Sequence, residues 1–319
     1  MRPLLLLLFA FAGLALVSFA PPARADTACS ASFDSLDFGI VDTLSTAGTK
    51  AASGVHLSCT GVPDGTASVA ACIALGAGSG GADGSARLLT GTDGTLRYGL
   101  YMDDADSQPW GTGASLGEPQ RVVLTVSNGQ ASSDIWLYGL VYGSQSSVVP
   151  ATYSSSFGDA DITFYYEAGN TLDCSAPDVS GVGATLSVAA QVSPNCLVST
   201  GDLNFGATGA IDQNIDAAAD IAVTCTPGTS YTMSLDGGTS NATSPDQRQM
   251  HSGSNHITYG LYSDTSRTQP WGQDLQAKSG AGLGEQELQT VYGRVPPQQA
   301  AVGSYTDTVV VTISYDDGS

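Results

Sequence analysis

Basic residues are scarce in this chain. Ten lysines and arginines stand against 30 aspartates and glutamates, a formal net charge of −20, and such a surface repels nucleic acid, which is excluded as a partner. Histidine is almost missing: His56, His251 and His256 are the full set, and the last two lie in a polar stretch with no cysteine or carboxylate at metal-ligand spacing. Asp103, Asp104 and Asp106 begin like a calcium loop, but counting from Asp104 puts Pro109 where glycine is needed and Ser115 where glutamate is needed. The glycine-rich stretch 76–81 has no Lys-Ser/Thr after it and reads as a turn, not a phosphate cradle. These absences leave no constellation for catalysis. The expectation is a protein that is not an enzyme and holds no metal or cofactor.

Long apolar runs are confined to the first residues. Arg2 supplies a basic start, residues 4–20 are uncharged and apolar, and Ala23-Arg24-Ala25 is a small-x-small cleavage site. Residues 1–25 therefore read as a signal peptide. No later stretch approaches the roughly 20 apolar residues that span a bilayer, so the mature chain is expected to be exported. Export permits disulfides, and Cys29, Cys59, Cys72, Cys174, Cys196 and Cys225 make an even number.

What is abundant points to strands. Only 13% of residues are charged and 39 are glycine, while Thr, Ser, Val and Tyr abound, a mixture that favours strands and tight turns over helices. Val309, Val311, Ile313 and Tyr315 alternate with polar or smaller residues, as do Ile162, Phe164 and Tyr166. Leu186, Val188, Ala190 and Val192 form one face of a further strand just before Cys196.

The chain is a tandem duplication. Tyr-Gly-Leu-Tyr-x-Asp-x4-Gln-Pro-Trp-Gly occurs at 98–111 and again at 259–272. Leu36-Asp37-Phe38-Gly39 returns as Leu203-Asn204-Phe205-Gly206, seven residues after Cys29 and Cys196 respectively, and Val141-Tyr142-Gly143 is matched to Val291-Tyr292-Gly293. A period of about 160 residues is the size of a domain, far beyond a solenoid repeat. The repeat selects one cysteine pairing: Cys29 with Cys59 and Cys196 with Cys225 are equivalent, which leaves Cys72 with Cys174. Trp110 and Trp271 recur in both copies, which assigns them to shared packing in preference to sugar stacking. Tyr101, Tyr142, Tyr262 and Tyr292 follow the same logic. The expected fold is all-β, two tandem immunoglobulin-like sandwiches, with domains at 26–175 and 193–319 and a linker with a possible completing strand at 176–192.

Together the cysteine before Leu-x-Phe-Gly, the Tyr-Gly-Leu-Tyr-x-Asp with Trp-Gly, Val-Tyr-Gly-Arg-Val-Pro at 291–296 and Gly303-Ser304-Tyr305-x-Asp307-Thr308 resemble the spore coat protein U domain family. Its members include subunits of archaic chaperone-usher pili of the Csu type. The first copy is the more divergent, reading Ser-Gln-Ser-Ser-Val-Val-Pro after Tyr142-Gly143 and adding Cys72 and Cys174.

The resemblance implies a pilin that lacks its last strand and accepts one from a neighbouring subunit. Its implied partners are a periplasmic pilus chaperone, an outer-membrane usher and an adjacent pilin that donates its N-terminal strand. The second copy ends soon after Tyr315, and the strand carrying Val309, Val311, Ile313 and Tyr315 is expected to line the acceptor groove. Only Asp26, Thr27 and Ala28 separate the cleavage site from Cys29, and at about 3.3 Å each they cannot span a sandwich. The chain is thus expected to accept a strand but to give none, as a two-domain tip adhesin at the cell surface would, in attachment and biofilm formation. The strand from Leu186 to Val192 either completes the first sandwich in cis or opens the second. Loop tips carrying Val41, Leu44, Val148, Val149 and Pro150, expected at the end far from the linker, are candidate contacts with a biotic or abiotic surface, unless the valines pack beneath their own loop. A structural coat protein and a secreted lectin are the other readings.

Overall fold

The computed structural model describes residues 26–175 and 184–316. The expected signal peptide, 1–25, and the first part of the expected linker, 176–183, lie outside the described residues. The first copy forms β1 (Ala28–Phe33), β2 (Leu36–Val41), β3 (Thr49–Thr60), β4 (Ser68–Leu75), β5 (Ala82–Asp83), β6 (Ala86–Gly91), β7 (Gly94–Tyr101), β8 (Gln120–Ser127), β9 (Gln130–Val141), β10 (Ala151–Phe157), β11 (Ile162–Ala168) and β12 (Leu186–Val192). The second forms β13 (Cys196–Thr200), β14 (Ile215–Cys225), β15 (Ser230–Leu235), β16 (Arg248–Ser252), β17 (Asn255–Tyr262), β18 (Lys278–Ala281), β19 (Glu287–Val295) and β20 (Val311–Tyr315). The chain is all-β; apart from strands, the described residues contain only two single-turn 3-10 segments.

In the first copy the strands are joined in the order β11-β4-β8-β9-β7-β6-β10-β12-β2, with β1 and β3 continuing from β9. Asn128 and Gly129, both at positive φ, make the two-residue turn that joins β8 to β9 and matches the strand twist. The triplet β11-β4-β8 folds over the longer ladder, so that Val69, Ile73, Leu124 and Ile162 share one core with Val55, Leu137 and Val188. Strand β4 is buried along nearly its whole length, which requires cover on both faces. Its outer face takes that cover from the segment held by the Cys72–Cys174 disulfide, where Tyr165 Oη donates to the Cys174 carbonyl. The other two disulfides, Cys29–Cys59 and Cys196–Cys225, each link residues directly opposite one another on paired strands. The second copy stacks a five-stranded sheet, β13-β14-β19-β17-β16, on a three-stranded one, β18-β15-β20, around a core centred on Trp271, Met233, Val223 and Val295.

The repeated signature is a scaffold. Trp110 and Trp271 are fully buried, and their Nε1 atoms donate to the Ile73 and Met233 carbonyls at 2.8 and 3.0 Å. Asp103 and Asp264 each accept two backbone N–H bonds four and five residues on, closing the turn that returns the chain to the tryptophan. Tyr101 and Tyr262 fold over the glycine two residues earlier, where a Cβ would lie 2.6 Å from the hydroxyl. In Leu-x-Phe-Gly, Asp37 or Asn204 accepts from the backbone N–H of the glycine two residues later, and that glycine has φ of +63° or +78°, a region closed to most side chains. Sequence reasoning passed over two members of this scaffold, Arg87 and Arg248. Each is buried and donates only to carbonyls: Leu75, Gly76 and Trp110 for one, Leu235, Asp236, Pro245 and Trp271 for the other. Burial lowers both guanidinium pKa values, that of Arg87 to about 10.

One repeat match shifts by four residues. Gly99 pairs with Leu140, while its counterpart Gly260 pairs with Arg294. A Cβ on Gly139 would meet Leu36 and Phe38 at 2.7 Å, and one on Gly293 would meet Phe205 and Leu203 at 2.7 and 2.9 Å. The true counterpart of Val291-Tyr292-Gly293-Arg294-Val295 is therefore Leu137-Tyr138-Gly139-Leu140-Val141, not 141–143. Two Tyr-Gly pairs lie four residues apart in the first copy, and spacing alone does not separate them. Gly139→Ala should cost about 1–3 kcal/mol through overpacking against Leu36 and Phe38. Gly158→Ala, with no atom within 4 Å of the added carbon, should be near neutral; urea unfolding compares the two.

Candidate functional site

Strand β12 lies between β10 and β2. It runs antiparallel to β10, with Leu186 opposite Phe157 and Val192 opposite Ala151, and parallel to β2, with Val188 beside Leu36 and Val192 beside Val41. Leu186, Val188, Ala190 and Val192 are each at most 2% exposed and belong to the first core. On the two flanking strands, Leu36, Phe38, Tyr153 and Phe157 are buried as well.

In the second copy no strand among the described residues occupies the matching place. Tyr305 matches Tyr153: each hydroxyl donates to the carbonyl four residues earlier, Ala301 or Val149. Thr306 bridges His251 as Ser154 pairs with Thr90, so Asp307 takes the place of Ser155 and Val309 that of Phe157. Among the described residues no strand lies between 303–309 and 203–208, and neither segment is itself a strand. Leu203, Phe205, Tyr305 and Val309, the counterparts of the four buried flanking residues, are only partly buried. Val311, Ile313 and Tyr315 are also partly buried; they sit on β20, which pairs with β15 in the opposite sheet. Of the four residues expected to line a groove, Val309 thus lies on the 303–309 edge, and Val311, Ile313 and Tyr315 lie on the opposite sheet.

Side chains hold that edge in position. Asp307 accepts from Thr239 N at 2.8 Å, Thr239 Oγ1 at 2.6 Å and Tyr259 Oη at 2.7 Å, and it packs so tightly on Gly238, which has φ +67°, that no Cβ fits there. Burial, and then the bond to Asp307, raises the Tyr259 pKa, keeping the phenol a donor. Asp236 accepts from Val310 N at 2.9 Å and donates its own N–H to the Val310 carbonyl.

The expected adhesive loops lie elsewhere than anticipated. Val41 and Val148 are buried, at 3% and 8% exposure, while Leu44, Val149 and Pro150 are half-buried. The 41–48 and 144–150 loops flank the Val192 end of β12, from which the chain enters the second sandwich. Asn195 Nδ2 donates to Asp42 Oδ1 at 3.0 Å, and a Cβ on Gly284 would strike the Ser146 carbonyl. These loops therefore face the second domain, not the far end. The reason is the register: β12 runs parallel to β2, so the loop after Val41 emerges beside the next domain.

His56 stands between two carboxylates on the outer sheet face. Its Nδ1 is 2.8 Å from Asp134 and its Nε2 3.3 Å from Asp34, and the bonds to Asp134 and then Asp34 raise its pKa above 6.5. Because the folded value lies above the unfolded one, this clip contributes its stability fully below about pH 6.5 and loses it as pH rises through the folded value. An NMR titration should give His56 a midpoint above 6.5, moving down in Asp134→Asn. Among the described residues no group of three His, Cys, Asp or Glu could hold a metal ion.

A cavity-forming change tests the role of β12. Leu186→Ala should destabilise the first sandwich by about 2–5 kcal/mol, whereas the exposed neighbour Ser187→Ala should change little; denaturant unfolding of both variants is the measurement.

The spore coat protein U domain model matches twice, over residues 15–158 and 182–312, and no curated relative matches. Among solved structures, the chaperone-tip adhesion subunit pre-assembly complex CsuC-CsuE, from archaic chaperone-usher Csu pili of Acinetobacter baumannii, aligns with TM-score 0.52 at 18% identity, covering 90% of this chain and 99% of that one. The CupB6 tip adhesin of Pseudomonas aeruginosa aligns with TM-score 0.38 at 13% identity, over 89% and 93% of the two chains. With both of its halves matched by one domain model, the chain belongs to the spore coat protein U domain family.

Proposed function

We propose that this protein is the tip adhesin of a chaperone-usher pilus, exported to the cell surface, with its first sandwich closed in cis by β12 and its second closed by a strand from another subunit. One observation carries the reading: the position that β12 fills in the first copy has no occupant among the described residues of the second, although its apolar walls are retained. Paired sheet edges and buried walls are the stable state; an open edge with apolar walls invites β-augmentation. Four aliphatic side chains entering such a groove would contribute roughly 6–12 kcal/mol gross, less the cost of ordering the strand.

Placement at the fibre end rests on the same strand. In this fold the segment just before a domain is where a donor strand would project. Here that segment is β12, and its side chains are already buried in the first core. The partners that follow are a periplasmic chaperone, which covers the groove before assembly, an outer-membrane usher, and one neighbouring subunit. The likeness to a chaperone-bound tip subunit supports this choice at the level of fold. Attachment to a surface and biofilm formation would be the work of the first sandwich, and an enzymatic role has no support.

The first copy supplies the register for the second. A donor should run antiparallel to 303–309 and parallel to 203–208, with a small side chain, in the place of Ala190, opposite Tyr305. A synthetic peptide of residues 184–193 should raise the unfolding temperature of the second sandwich in the full mature chain. With Thr308→Cys, the counterpart of Ser156, a peptide bearing cysteine in place of Ser187 should form a disulfide, and one bearing it in place of Val188 should not. Immunogold labelling completes the test. Gold confined to fibre ends agrees with the proposal, and gold along the shaft or over the envelope refutes it.

A further inference from the structure

The third tryptophan differs from the other two. Trp136 on β9 is 59% exposed, on the outer face of the first sandwich. Opposite it on β3 is Gly54, which presents no side chain, and the Asp34 carboxylate occupies the space above that glycine, 2.7 Å from where a Cβ would stand. Two residues along the same face, His56 lies opposite Asp134. His56 bridges the two carboxylates, engaging Asp34 Oδ2 and Asp134 Oδ1, and no other hydrogen bond is made by Asp34 Oδ1 or Asp134 Oδ2 among the described residues. A flat indole thus stands beside two carboxylates that are oriented by charge-assisted bonds, each with an acceptor oxygen open to solvent.

The constellation is exclusive to the first copy. The matching positions in the second are Gly201, Asp220, Ala222, Leu288 and Thr290, and there Thr290 Oγ1 simply donates to Asp220. The buried scaffold beneath is common to both. A duplicated fold that keeps its packing and changes one surface cluster places the difference where the first domain's own work would be done.

We propose that this face binds a neutral pyranose of a surface glycan, with the C–H face of the sugar stacked on Trp136 and its hydroxyls donating to Asp34 and Asp134. The chemistry favours that ligand over charged ones. The net charge of −20 repels acidic sugars. A quaternary cation calls for a cage of several aromatic faces, and here there is one indole among hydrogen-bonding groups. The inference stands apart from strand exchange at the second sandwich and survives or fails without it.

Fluorescence tests it directly, because Trp110 and Trp271 are buried and acrylamide quenching of the full mature chain reports mainly Trp136. The probes are the methyl glycosides of glucose, galactose, mannose and N-acetylglucosamine at millimolar concentration. At least one should protect Trp136 from quenching in a saturable way. Trp136→Ala should weaken its binding about tenfold or more, equal to about 1.4 kcal/mol, as measured by saturation-transfer NMR. Trp136→Tyr should restore part of it, and Asp34→Asn should weaken binding while the chain stays folded under the assay conditions, as its near-UV circular dichroism would show. Absence of protection by all four glycosides overturns the proposal, as does binding that persists in Trp136→Ala. Retention on a hydrophobic resin that depends on Trp136 while no glycoside binds also overturns it, in favour of plain apolar contact.

Discussion

Every sheet in this protein must settle what covers its last edge, and the first sandwich settles it with β12. A row of open backbone groups beside Leu36, Phe38, Tyr153 and Phe157 would leave an apolar trough in water. Strand β12 closes it from both sides at once, with hydrogen bonds to β10 and β2 and four side chains in the core. Because β12 leads straight into Cys196 through a three-residue connection, the same closure ties the two domains together, and Asn195 adds its bond to Asp42. The rest of the architecture, including which loops face the second domain, follows from the direction in which that strand runs.

Much of the fold was legible in the sequence because duplication gave every motif a second reading. The tryptophans, the Tyr-Gly-Leu-Tyr segment and Leu-x-Phe-Gly were recognisable as scaffold, and alternation marked the strands. Arg87 and Arg248 escaped because an isolated arginine in a polar-looking stretch gives no sign of burial; only their equal separation from Trp110 and Trp271 could have pointed to them. The shifted Tyr-Gly match failed for another reason. Tyr138 and Tyr142 both precede glycine, and only the packing of Leu36 and Phe38 on Gly139 decides between them.

The surface was harder to read. Val148 looks like an exposed loop tip among serines, yet it packs into the core, since hydrophobicity in a loop does not say which way the loop folds. Trp136 left no motif at all; its meaning arises from Gly54, Asp34 and His56, residues distant in sequence that the β3–β9 register brings to one face. Ion pairs tell the same story. Lys50 meets Asp106 at 2.7 Å in the first copy, and at the matching positions Asp216 meets Arg267 at 3.3 Å in the second. The signs are exchanged while the loop is anchored alike, so comparison of residue types conceals an equivalence that geometry reveals.

The edge that β12 covers in the first copy has a counterpart at 303–309 in the second, and the two are held in different ways. In the first copy a strand fixes the β10 edge, and the buried Ser155 makes a lighter tie, its Oγ accepting from the Gly80 N–H at 3.2 Å. In the second, Asp307 replaces that serine and binds Thr239 and Tyr259, while Asp236 holds Val310. Without such a clasp, the apolar residues on both walls would be drawn together and the trough would close. With it, the edge is already in place, so an incoming strand would order mainly itself, and preorganisation of this kind lowers the cost of binding. The requirement for glycine at position 238 follows, because any larger residue would collide with the carboxylate that keeps the edge apart.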